Sequence, residues 1–557
     1  MRSTRTEKGR SATTQFRVDI HARERRETLF DRVSVLVLLA GCLQVTGVVN
    51  RDVSLDEARI GLSALERPGP FGQVFGGWEP SILPGQVLPS SFLYQILGEA
   101  WSGWSGLVLW PGSVALIALT VMLARQSQKL FGPGSGLLTI LFLSGSSLFM
   151  ELPGGMMAHA ITGFFTVASL AWALTRGSNW TSGVLAAIAV FSGGWPALAL
   201  IVVPIMIMGR QGAYLSLPLL VPPISAFAAW SVWALKVAPS VVWAQAIAAP
   251  LRQSPGWAAF PWVLLMLLPG LGLAVAALSG SLRASWTPAA RSWTIAWAQV
   301  GLVASLLGVF VPGMAPVAWF LLAASVAVTA TGVTRSFLTS SRVGPRMTRL
   351  IFGVAIMANL LWAALALPRL VFVAASMGYY QELAVISGLL TAFAVAFALV
   401  GAWEGRRRWC VASFVGLTFA IKVAHAGIYV PEREYRIGQG PWAHAVGQWV
   451  PPRFPIYTVH TWPADFAFDL CRPVKQLVAA QWLGLVDTPH PRHVLLLKAE
   501  FDHWPADAPA IEKIREFEDE RGGVRVLAKT TGQPVPWNPA PEAPARADAS
   551  PSPIPAP

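Results

Sequence analysis

The sequence predicts a polytopic α-helical membrane protein with a small extracytoplasmic α/β domain at its C-terminal end. Three observations carry that expectation. The 557 residues are 54% hydrophobic and only 13% charged, with a mean hydropathy of +0.52, more apolar than a soluble chain could cover with polar surface. Apolar runs recur from Val33 to Gly427, many of them long enough to cross hydrocarbon as a helix. After Gly427 the composition turns mixed and charged. The net charge of +13 does not indicate a nucleic-acid partner. The Lys and Arg residues cluster in the short segments between apolar runs, as the positive-inside rule requires of a membrane protein. Cys42, Cys410 and Cys471 are scattered without a CxxC pair, which supports neither a disulfide framework nor a zinc site.

Residues 1–32 carry nine Lys/Arg against five acids and are expected to be a cytoplasmic tail. The first apolar run, near 33–49, lacks a convincing small-residue cleavage site and so reads as a retained span rather than a signal peptide. A long outer loop, 50–104, contains an aromatic stretch from Leu88 to Trp104 suited to lying along the interface. Spans follow near 105–124, 134–150 and 156–175, with Arg125, Lys129 and Arg176 marking the inner side. Residues 181–208 are either one long helix or two short limbs broken at Gly193-Gly194-Trp195-Pro196. Charge favours two limbs that go out and return, each about 13 residues and too short to cross alone, and therefore shielded by protein. Further spans fall near 214–234, 257–279, 293–310, 317–333, 350–367, 383–403 and 409–427. The expected total is about thirteen in a transmembrane region of residues 33–428, with the N-terminus in and the C-terminus out.

The C-terminal α/β domain is expected over 429–532. Strands are predicted at Ile456–His460, His493–Lys498 and Val524–Leu527, and an amphipathic helix at Ala508–Glu520. The tail 533–557 is Pro/Ala-rich and reads as disordered.

The chemistry is concentrated where the first span ends. Arg51-Asp52-Val53-Ser54-Leu55-Asp56-Glu57-Ala58-Arg59 delivers two adjacent carboxylates and a guanidinium to the membrane surface. One carboxylate there could act as a general base, its neighbour could orient it or bind a divalent cation, and the arginine could neutralise a phosphate. Solvated charges at a helix end are the plain alternative. Glu79 in the same loop, Glu151 at an outer helix end and His159 just inside the next span are possible accessory groups. Lys236 and Arg252, which flank a second outer loop, are candidates to grip a phosphate, with Arg369 in reserve.

Asp56-Glu57-Ala58-Arg59 after a long N-terminal helix resembles the GT-C membrane glycosyltransferases. The layout is similar to glycosyltransferase family 39, which includes the protein O-mannosyltransferases and the lipid A aminoarabinose transferases. Pro261-Trp262 with Leu268-Pro269-Gly270 resembles the Pro-bounded helix after the family's second large outer loop. Ile456–Val459 followed by Phe466–Val474 resembles the opening of its C-terminal domain. The sequence departs from the family at Gly155–His159, which lacks an early Asp, at Gly194-Trp195-Pro196 and at Pro312–Pro316. The resemblance implies an inverting sugar transfer in the bacterial inner membrane, from a polyprenyl-phosphate donor to an extracytoplasmic lipid, glycan or protein. Asp56 would be the catalytic carboxylate and Glu57 its partner, with any divalent metal ion held by these two. Arg59 would contact the donor phosphate. The partners implied are that donor and membrane lipids, with no oligomeric state specified. Two other classes compete. A transporter or flippase of lipid-linked precursors would call for repeat symmetry and polar groups within spans, and the chain shows no clear internal repeat. An inactive GT-C-like scaffold is the other.

Overall fold

The computed structural model describes residues 106–531, apart from 147–155, 208–215, 238–256, 433–439, 460–465, 486–490 and several stretches of one to four residues. The chain divides into two compact units, Met1–Gly438 and Gln439–Pro557.

The first unit is helical. Helices α1 (Gly106–Phe131), α2 (Ser135–Gly145), α3 (Met156–Arg176), α4 (Trp180–Ile207) and α5 (Leu217–Val237) are followed by two short helices, α6 (Phe260–Met266) and α7 (Gly270–Ala276). Then come α8 (Pro288–Phe310), α9 (Ala315–Thr339), α10 (Pro345–Ser376), α11 (Gln381–Glu404) and α12 (Arg407–Ala424). The last continues through a π-helical turn, His425–Tyr429, as far as Glu432. Among the described residues, six helices are long and apolar enough to cross a membrane: α4, α8, α9, α10, α11 with its preceding 3-10 turn, and α12 as far as Glu432. The expectation of about thirteen crossings is therefore not reached among the described residues.

Helix ends follow from local chemistry. Pro288 opens α8, where a missing N–H costs nothing, and the Thr287 hydroxyl accepts from the Ala290 N–H at 3.2 Å. Gly405 stops α11 in a left-handed conformation, φ 67°, and Arg406 N–H returns to Gly401 O at 2.9 Å. The expected break in the 181–208 run is present. Gly194 has φ 66° and ψ −155°, a backbone region open to glycine alone, and it divides α4 into two limbs. α4 therefore meets the length of a span only as a whole, and each limb by itself falls short of the ~20 residues that one crossing requires. Of the span expected near 257–279, the described parts Phe260–Met266 and Gly270–Ala276 are helical, and Leu271 N–H donates to Leu267 O at 3.2 Å, a helical i→i−4 bond between the two.

At the centre of this unit is α9, with its most apolar stretch wholly buried and packed by α2, α3, α7 and α8. Close approach is achieved with small residues. A Cβ on Gly301 would meet Ser325 Oγ at 2.7 Å, and one on Gly163 would meet the Phe320 ring at 2.7 Å. Thr139 and Thr331 hydroxyls bond across the α2–α9 contact at 3.0 Å.

The second unit contains α13 (Gly440–Gly447), a short helix α14 (Lys498–Asp502) and a five-stranded sheet. Its strands are β1 (Ile456–Thr458), β2 (Val474–Gln476), β3 (His493–Leu497), β4 (Ile511–Glu518) and β5 (Val524–Thr530), in the order β2-β1-β3-β5-β4. β1 is parallel to β2 and β3, and β5 is antiparallel to β3 and β4. Both faces are covered. Ile456, Leu495 and Leu527 pack on one side with Ala443 and Val446 of α13, and Tyr457, Val494 and Leu496 pack on the other with Leu483.

The helix expected over 508–520 is a strand. Ile511, Ile514 and Phe517 recur every three residues, which imitates one face of a helix. In β4 the register against β5 shifts between Lys513 and Arg515. That bulge inserts one residue and puts Ile514 and Phe517 on the same face of the sheet, where both join the α13 cluster. Without it an odd spacing would have sent them to opposite faces.

Candidate functional site

The helical unit has two ends, and side-chain contacts define them. At one end Arg335 of α9 donates to Phe131 O, the last residue of α1, at 3.3 Å. Arg407, at the start of α12, donates to Phe337 O at 2.8 Å and stacks over the Phe337 ring at 5.3 Å. Charge clusters separated by almost three hundred residues of sequence thus gather at one basic end, where Arg125, Lys129, Arg346, Arg349 and Arg408 are exposed.

The far end is built from the starts of α3, α6 and α9 and the break in α4. Gly193 lies against Thr162, and Gly163 against Phe320. Phe260, the first residue of α6, stacks on Trp319 with ring centroids 6.1 Å apart. Gly308, near the end of α8, also abuts Trp319. Segments singled out in the sequence for their relation to the family pattern therefore converge: His159, Gly193–Pro196, the start of the Pro261-Trp262 helix and the turn before α9.

The candidate residues fall as follows. Asp56, Glu57, Arg59 and Glu79 lie in 1–105, Glu151 in 147–155 and Arg252 in 238–256, all outside the described residues. His159 occupies the first turn of α3, half-buried, at the far end. Lys236 occupies the last turn of α5. The start of α5 lies at the basic end, where Pro218 O and the Pro222 ring pack on Gly183 of α4. A rise of 1.5 Å per residue carries Lys236 about 27 Å from Pro218, toward the far end. Two of the eight candidates are thus described, and both are directed to the same end. Among the described residues no group of three His, Cys, Asp or Glu side chains could hold a metal ion.

Sequence reasoning missed one group. The Tyr380 hydroxyl, in the 3-10 turn Gly378–Tyr380 before α11, donates to the Glu432 carboxylate at the end of the α12 span. His425 is buried and its ring lies tilted against that of Tyr429, with centroids 5.3 Å apart, within the π-turn. Lys422 is a charge within an apolar span. The 3-, 4- and 3-residue steps from Lys422 to His425, Tyr429 and Glu432 were the signal that could have revealed the rest.

An apolar helical unit followed by a small mixed sheet is the layout expected from the sequence. No protein-family profile and no curated protein sequence matches the chain. Among solved structures, the chain is similar to the crystal structure of ArnT from Cupriavidus metallidurans bound to undecaprenyl phosphate. The TM-score is 0.62 at 15% identity, covering 90% of this chain and 97% of that one. The apo state of the same protein matches with a TM-score of 0.58 at 14% identity, covering 88% and 97%. At that identity the likeness establishes the fold.

Proposed function

We propose that the protein is an integral membrane glycosyltransferase that moves a sugar from a polyprenyl-phosphate donor to an acceptor on the outer face of a bacterial inner membrane. The observation that carries this reading is the match of nearly the whole chain to a fold solved with undecaprenyl phosphate bound. The acidic loop after the first apolar run adds the chemistry. Asp56 takes the proton from an acceptor hydroxyl or amine. The freed lone pair attacks the anomeric carbon, the bond from that carbon to the phosphate oxygen breaks, and the lipid phosphate leaves with the electron pair. Glu57 orients Asp56, or shares a divalent cation with it. Arg59, with Lys236 and Arg252 in support, neutralises the departing phosphate, because a guanidinium keeps its charge at any working pH. The distribution of Lys and Arg supports an outer location for the acidic loop and for the residues after Gly427. Glu79, Glu151 and His159 are accessory groups for the acceptor.

The test is transfer by the purified protein in lipid nanodiscs. Asp56→Asn keeps size and removes basicity, and transfer should fall by about a hundredfold or more while the polyprenyl phosphate still binds. Undiminished turnover would move the base to Glu57 or Glu151.

A further inference from the structure

Helix α12 changes character along one face. Near its start that face carries Phe414, which packs edge-on against Phe142 of α2 with centroids 6.4 Å apart. α2 ends at Gly145, only three residues beyond Phe142, or about 5 Å further along its axis. α12 continues. Lys422, His425, Tyr429 and Glu432 follow Phe414 by 8, 11, 15 and 18 residues. At 3.6 residues per turn, and allowing for the π-turn, all four project within about 80° of the Phe414 direction. Beyond the last turn of α2, then, the face that was aromatic becomes cationic and hydrogen-bonding.

The depth of this stripe matters. Lys422 is about 22 Å along the axis from Arg407 at the basic end, still inside a hydrocarbon layer of about 30 Å. An ammonium there is expensive even when paired with protein groups, and such charges mark substrate and ion pathways. His425 and Tyr429 form the next turn toward the far end, and their π-helical geometry is a form that recurs at functional sites. The negative group at the top of the stripe, Glu432, is tied by Tyr380 to the α10–α11 turn. Arg369 of α10 is exposed. It lies about 35 Å along that helix from Arg346 and so adds a second cation toward the same end.

We propose that this face of α12 is a lipid-phosphate subsite. Lys422 supplies the charge, and His425 and Tyr429 supply the hydrogen bonds, for a phosphate held at the boundary of hydrocarbon and water. Two lipids carry that chemistry: the polyprenyl phosphate of the proposed reaction and the headgroup of an anionic phospholipid. The first source rests on the function proposed above, and the second does not.

The experiment measures binding by the full-length protein in nanodiscs of neutral phosphatidylcholine. Undecaprenyl phosphate and phosphatidylglycerol are titrated separately and bound lipid is counted by native mass spectrometry. Lys422→Met should weaken binding of at least one of them by about tenfold or more, the range for removing a charged hydrogen bond, while Lys422→Arg should stay close to wild type. A response to undecaprenyl phosphate alone assigns the subsite to the carrier, and an equal response to phosphatidylglycerol assigns it to a headgroup. If the wild type ignores undecaprenyl phosphate yet binds phosphatidylglycerol through Lys422, the proposed donor fails and the subsite stands. Should Lys422→Met not fold, Lys422→Gln and Tyr429→Phe are read in the same way. Wild-type binding of both lipids by a folded variant, or no binding of either by the wild type, overturns the proposal.

Discussion

The two units present opposite surfaces. At the centre of the helical unit, α9 hides Ala318, Ala324, Thr329, Thr331 and Ser325, while Leu360, Leu389 and Phe393 on α10 and α11 point outward. In the sheet unit the interior is Leu495, Leu496, Leu527 and Phe466, and the exterior carries Lys498, Glu512, Lys513 and Glu516. The α10 and α11 helices are the more apolar of the long helices and also the least enclosed by protein. Hydropathy therefore records which side meets lipid, and small-residue content records which side meets protein. In the sheet unit, where water is the outer medium, hydropathy regains its usual meaning.

The largest expected effect attacks that inversion. Phe393 is more than half exposed in mid-α11. Phe393→Asp, which on a water-facing surface would be mild, should cost about 2.5–3.5 kcal/mol at a membrane helix centre and lower the inserted yield. Glu512→Gln on β4 should stay within about 0.5 kcal/mol. Equal effects in membrane-fraction yield and thermal unfolding would break the comparison.

A finer test uses two glycines. A side chain on Gly163 runs into Phe320, whereas a Cβ on Gly353 of α10 meets nothing within 4 Å. Gly163→Leu should destabilise by about 1–3 kcal/mol, and Gly353→Leu should leave the melting temperature in detergent unchanged or slightly raised.

The smallest effect is electrostatic. On the sheet surface, Lys513 and Lys498 donate to Glu516 and hold its carboxyl below the ordinary value of 4.5. A depressed carboxyl stabilises the fold above its unfolded pKa and loses that contribution as pH falls through the lower folded value. Lys498 is raised above 10.5, chiefly by the same hydrogen bond, so its contribution holds below 10.5 and fades as pH rises through the folded value. Amide exchange of β4 and β5, corrected for intrinsic rates, should therefore show protection declining below about pH 4.5. Glu516→Gln should flatten that acid limb. An unchanged limb in the variant would assign it to other carboxylates.

Much of the fold was legible because single residues dictate it. The Gly-Gly-Trp-Pro run announced the break at Gly194, and the aliphatic runs at 456–459, 493–497 and 524–527 announced three strands. β4 was not legible, since its period-three pattern becomes a sheet face only through a bulge, and a bulge is set by the partner strand. Of the candidate site, His159 and Lys236 are directed to one end by helix direction alone. The Tyr380–Glu432 bond joins residues 52 apart in sequence and depends on how α10, α11 and α12 pack, which local pattern does not encode.

The enclosure of α9 also bears on how the chain is made. A segment that ends up wrapped by protein must first sit in the bilayer before its later neighbours have been synthesised. Its hydroxyls are suited to that interval. Thr329 donates to Ser325 O at 2.7 Å and Thr331 to Ala327 O at 2.7 Å, each within the same helix. At these two positions the newly inserted segment presents no unmet hydroxyl to lipid. Its contacts with α10 and α12 can then form after insertion, as those helices emerge and dock.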